Sequence, residues 1–147
     1  MNRLKYANDL VRNAASLLTS LSADVEDMHY GALIGTIQQL QLLQEAIGLK
    51  VPTMSAASEA LKIDVVSMLG ESALSEDVAA LLDDYVSVRL SSVEAAVLSV
   101  QSRYLESDDP PLAMIGRSMF EARRWISAAT YAVNVELEGK FNVRLAA

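Results

Sequence analysis

Cysteine is absent from the 147 residues. That removes disulfide frameworks, thiolate zinc sites, iron–sulfur clusters and cysteine nucleophiles from consideration. Histidine occurs once, as His29, so a Ser–His–Asp arrangement has a single imidazole to draw on. The Gly-x-Ser-x-Gly elbow that would present its serine does not occur. Neither does a Walker loop or a dinucleotide-type glycine fingerprint. Three prolines and six glycines are too few for a collagen-like or low-complexity chain. Basic residues are also scarce: 12 Lys and Arg stand against 19 Asp and Glu, a net charge of −7. That balance opposes a chain whose main task is gripping nucleic acid.

Long apolar runs are missing as well. The longest uncharged stretch lies between His29 and Glu45 and holds Gln38, Gln39, Gln41 and Gln44, short of the about 20 apolar residues a spanning helix needs. Near the N-terminus Asn8, Asp9, Arg12 and Asn13 interrupt the core of any signal peptide. The expectation is a cytoplasmic protein, or one held within an assembled particle, with no catalytic residue, cofactor, metal or membrane contact.

What the chain does contain is helical period. Hydrophobic residues make up 52% and charged residues 21%, the balance of a folded chain. A single helical domain over residues 1–147 is expected, large enough to fold without staples. Leu4, Ala7, Val11, Ala14, Leu18 and Leu21 draw one apolar stripe down a first helix. Ser20 or Ser22 is expected to break it and cap a second helix, with Asp24, Glu26 and Asp27 in its first turn. That helix runs to Gly48, with Tyr30, Leu33, Ile37, Leu40 and Ile47 on one side. Thr53 or Ser55 caps a third helix carrying Ala57, Leu61, Val65 and Met68 and stopping at Gly70.

A fourth helix is expected from a Ser75 cap to about Glu106. At about 30 residues it is about 45 Å long, too long for a compact ball of this size. A fifth follows an Asp109 cap and Pro110, with Leu112, Ile115, Met119, Ala122, Ile126, Ala129 and Val133 at 3,4 spacing. Apolar residues alternate over 133–145, so that stretch reads either as a short β-hairpin or as a helix end with a tail. The predicted fold is all-α, an elongated bundle of four to five helices.

Function is expected at the surface. The fourth helix is apolar on nearly every side: Val86, Val88, Leu90, Val93, Val97, Leu98, Val100 and Tyr104 cover most of its circumference. Either it is central, or another copy or a partner covers part of it. The mean hydropathy of +0.23 favours a covered surface. Gly31 and Gly35 form GxxxG inside the second helix, which suggests close approach of another backbone. Acidic groups gather at Glu71, Glu76, Asp77, Asp83 and Asp84 and again at Glu106, Asp108 and Asp109. Arg117, Arg123 and Arg124 lie on the fifth helix beside Phe120 and Trp125, with Arg117 and Glu121 spaced as an i,i+4 pair.

Gly31, Gly35, Arg117, Phe120, Arg123, Arg124 and Trp125 are therefore the candidate interaction residues. The expected function is that of a non-catalytic assembly or adaptor protein: a self-associating structural subunit of a larger complex or viral particle, whose partner is itself, another protein, or both. One alternative is a subunit of a nucleoprotein complex touching the backbone through the arginines, helped by Lys140 and Arg144. Another is a ferritin-like metal oxidase built across a dimer, using the Glu26-x-x-His29 spacing.

Overall fold

The computed structural model describes residues 3–48, 57–72 and 78–146; the side chains of 3–4, 78–83 and 135–146 fall outside the description. Five helices are present among the described residues: α1 (Arg3–Leu21), α2 (Asp27–Gly48), α3 (Glu59–Leu69), α4 (Val78–Leu105) and α5 (Pro110–Ala146). The fold is an all-α bundle. No strand occurs among the described residues. Backbone helix continues to Ala146 through the stretch that alternates over 133–145, and the side chains of that alternation from Val135 onward lie outside the described residues.

Four helices close a ring, α1 beside α2, α2 beside α4, α4 beside α5 and α5 beside α1; α3 packs on α2 and α4. The connections over 22–26 and 106–109 are too short for anything but antiparallel neighbours. At 1.5 Å per residue the 28-residue α4 is about 42 Å long and the 37-residue α5 about 55 Å.

The 3,4 stripes meet at the axis of this ring. Ala7, Val11, Ala14 and Leu18 of α1 and Met119, Ala122, Ile126 and Ala129 of α5 are closed to solvent, as are Leu33, Leu40 and Leu43 of α2. Leu61 and Val65 turn the short α3 onto the same core. Tyr30 departs from the expected stripe and is half exposed. Three α2 positions further on, Leu33 carries the inward face instead.

Helix ends follow local chemistry, with corrections. Ser20 and Ser22 cap nothing. Their hydroxyls donate back to the Leu17 and Thr19 carbonyls, finishing α1 rather than starting α2. Of the expected acidic first turn only Asp27 belongs to α2; Asp24 and Glu26 lie in the connection. The cap of α3 is Ser58, whose side chain accepts from the Leu61 amide at 3.2 Å. Glu45 of α2 receives both the Ser58 amide and hydroxyl, at 2.7 and 2.6 Å. Thr53, Ser55 and Ser75, the expected caps, lie outside the described residues. Gly70 ends α3 at φ 92°, a conformation that suits glycine.

One close helix crossing involves a glycine with no sequence pattern around it. A Cβ on Gly116 would lie 2.7 Å from the Leu105 amide nitrogen and 3.0 Å from the Tyr104 carbonyl carbon. The first turns of α5 therefore rest directly on the backbone that ends α4.

Candidate interaction surface

Two polar ties fix the levels of the helices before any surface is considered. At one end of the bundle the Tyr104 hydroxyl of α4 accepts from the Glu26 amide at 2.9 Å and lies 2.7 Å from His29 Nδ1. The Tyr104 hydroxyl and His29 Nδ1 share one hydrogen bond. The rings meet edge-on at 5.0 Å. Nε2 is buried and finds no partner among the described residues. Both ring nitrogens therefore face inward. A metal bridged across a dimer by Glu26 and His29 would need one facing out, so this geometry does not fit the ferritin-like alternative. Among the described residues no group of three or more His, Asp or Glu is arranged to hold a metal ion.

The second tie holds α3 to α4. Arg89 donates to both oxygens of Asp64, Nη2 to Oδ1 at 2.6 Å and Nε to Oδ2 at 3.1 Å, a bidentate fork. The Tyr85 hydroxyl donates to the same carboxylate at 2.5 Å. Burial, and then the Asp64 carboxylate, push the Tyr85 hydroxyl pKa well above the usual tyrosine range. Sequence reasoning missed both ties because partners 21 to 78 residues apart leave no spacing signature.

The arginine face expected on α5 divides. Arg117, Phe120, Arg124, Ser127 and Tyr131 follow 3,4 spacing and are all exposed. Arg123 instead turns to α4 and donates to the buried Gln101 side chain at 3.1 Å, its guanidinium 5.5 Å from the Phe120 ring centre. Trp125 is half-buried and packs on the core. The Arg117–Glu121 pair does not form: Glu121 meets Arg124 at 3.4 Å, and the Arg117 guanidinium lies 3.9 Å from the Met114 sulfur. Two exposed arginines, not three, remain on that row.

The α4 surface resolves into two faces. Val86, Leu90, Val93, Val97, Val100 and Tyr104 are buried, so α4 is a corner of the ring rather than its centre. Val88, Leu98 and Leu105 remain 51%, 44% and 45% exposed. Every exposed residue from Val88 to Ser102 is uncharged: Val88, Ser91, Ser92, Ala95, Leu98, Ser99 and Ser102. Arg89, the nearest cation, is turned aside and held by Asp64.

The neighbouring α2 repeats this feature, with no charged residue from Met28 to Gln44. Gly31 and Gly35 lie on its outer side, and a Cβ added to either would meet nothing within 4 Å. Packing within the chain does not account for them. The exposed residues of Met28–Gln44 and Val88–Ser102 are thus uncharged on a chain of net charge −7. The side formed by α1 and α2 differs, an open groove that Arg12 and Ala15 line together with Ser16, Thr19, Ser20, Gln41 and Gln44.

No helix among the described residues is long and apolar enough to cross a membrane. Comparison of the chain with protein-family models, with curated proteins and with solved structures finds no match.

Proposed function

We propose that this chain is a non-catalytic helical assembly protein, a self-associating structural subunit of a larger complex. One observation carries the reading: on the outer sides of two adjacent helices, Met28–Gln44 and Val88–Ser102, every exposed residue is uncharged, and Arg89 and Glu94 are only partly accessible. A helix facing water normally bears its charges there. Val88, Leu98 and Met28 are exposed on these helices instead, and exposed apolar side chains on an uncharged face support a contact surface. The glycine pair on α2 supports the same reading. Each glycine costs about 1 kcal/mol of helix stability relative to alanine, and no contact within the chain explains the loss. The nucleoprotein alternative has less behind it, since Arg123 is engaged by Gln101 and Arg117 and Arg124 alone neutralise few phosphates.

Sedimentation equilibrium of the purified chain over a dilution series, at low and high salt, tests the reading. Mass rising above 15.9 kDa with concentration and persisting in high salt is expected, because an uncharged interface owes little to screened attraction. Association abolished by salt would point instead to acidic loops meeting the arginine row. A monomer throughout would contradict self-association.

A further inference from the structure

We infer that the α2–α4 side, with α3 on it, is an isologous dimer interface whose occupant is a second copy of this chain, α4 lying antiparallel to its counterpart. The inference rests on the self-association reading and adds the surface, the orientation and the register.

The charges at the two ends of the α4 strip select the occupant. Asp84 bounds it at one end and Arg103 at the other; both are exposed, and neither forms an ion pair among the described residues. They stand 19 residues apart, about 28 Å along the helix. A copy laid antiparallel sets Asp84 against Arg103 at both ends at once. A parallel copy sets like against like. A two-fold interface has this reciprocity by construction, and the exposed residues between the end pairs are Val, Ser, Ala and Leu, with Arg89 held by Asp64 and Glu94 only partly exposed.

That register makes a second, independent match. With Asp84 opposite Arg103 of the other copy, the two-fold axis passes between Val93 and Glu94. Asp64 ties α3 to α4 at the level of Tyr85 and Arg89, so α3 faces the level of residue 100 on the second copy's α4. The His29–Tyr104 contact puts that same level near residue 33 of its α2, between Gly31 and Gly35.

Shape agrees with register there. α3 stands outside α2 and α4, raised by about one helix packing distance of 8–10 Å. Its outward Ile63 is 68% exposed. At the other end of the same side the α2 outer face is lowered by two absent side chains, with open space above each. Turning one copy end for end brings each ridge over the other's glycines. A single helix strip offers too little area for a stable dimer. Contacts from α2, α3 and α4 together are needed to reach the about 600 Å² per partner at the lower end of stable interfaces.

The cysteine-free chain allows a direct test by single-cysteine cross-linking with a short bismaleimide, alongside mass by light scattering. Ala95→Cys lies beside the two-fold axis, whereas Ser102→Cys lies about 25 Å along the helix from its counterpart. The expected result is a dimer mass, efficient cross-linking of Ala95→Cys, none of Ser102→Cys, and at least a tenfold weaker dimer for Gly35→Ile, which fills the recess. Cross-linking of both cysteine variants alike would show parallel pairing and overturn the inference. A multimer that cross-links at neither position and keeps its mass in Gly35→Ile would overturn this surface while leaving self-association standing. A monomer at all concentrations would overturn both.

Discussion

The same chemical change, glycine to alanine, is expected to have opposite effects at two helix positions. At Gly116 a Cβ meets the Leu105 amide nitrogen at 2.7 Å, the Tyr104 carbonyl carbon at 3.0 Å and Leu105 Cγ at 3.1 Å. Two of those atoms are backbone inside a packed helix and cannot swing away, so α5 must lift from α4 by several tenths of an ångström. Overpacking of this kind costs about 2–3 kcal/mol. Alanine returns about 1 kcal/mol of helix propensity, leaving Gly116→Ala about 1–2 kcal/mol less stable. At Gly35 nothing lies within 4 Å, so Gly35→Ala keeps the propensity gain and is about 1 kcal/mol more stable. Far-UV circular dichroism of thermal unfolding at low protein concentration reads both. With about 2–4 °C per kcal/mol for a chain near this size, a fall of about 2–8 °C is expected for Gly116→Ala and a rise of about 2–4 °C for Gly35→Ala. A Gly116→Ala chain at least as stable as the parent would refute the α4–α5 crossing.

Other perturbations probe the polar ties. Asp64→Ala strips Arg89 and the Tyr85 hydroxyl of their shared partner; with both ends of the ion pair mostly buried, a loss of about 2–3 kcal/mol in urea unfolding is expected. Tyr104→Phe leaves the Glu26 amide and His29 Nδ1 without their protein partner, and about 1 kcal/mol should disappear in the same assay. Alkaline titration probes Tyr85. Unfolded, it ionises near its ordinary 10.0; folded, it holds its proton well above that. Stability is therefore untouched by this group below pH 10 and falls by about 1.4 kcal/mol per pH unit above it. The difference in phenolate absorbance between the parent chain and Tyr85→Phe should show Tyr85 ionising only as the helix signal is lost; Tyr85 ionising near 10.0 in folded protein would contradict the Tyr85–Asp64 bond.

Much of the fold was legible because inward residues recur at 3,4 spacing. Ala7, Val11, Ala14 and Leu18 announce α1, and Ile115, Met119, Ala122, Ile126 and Ala129 announce α5. The α4 pattern was harder to read: Val88, Leu98 and Leu105 put apolar side chains on the outward side, so no polar face marked the inward one. Caps misled where the hydroxyl of a serine near a helix end donates back to a carbonyl of the preceding turn, as in Ser20 and Ser22. Of the candidate surface, Gly31 and Gly35 stood out in the sequence. Their neighbourhood did not, because the adjacency of α2 and α4 comes from ring order. Gly116 went unnoticed since a lone glycine carries no period. The three neighbouring arginines and Trp125 resembled one face only as a list; consecutive helix residues point about 100° apart, which sends Arg123 to α4 and leaves Arg124 outside.

Ala95→Arg tests the association most directly. Ala95 is exposed at the middle of the α4 strip, where arginine is a good helix former and disturbs nothing inside the bundle. Light-scattering mass is the measurement. The parent chain should approach twice 15.9 kDa as concentration rises, while Ala95→Arg stays at the single-chain mass with unchanged helix content. A variant that associates as strongly as the parent would show that this side of the bundle faces water in the assembled protein.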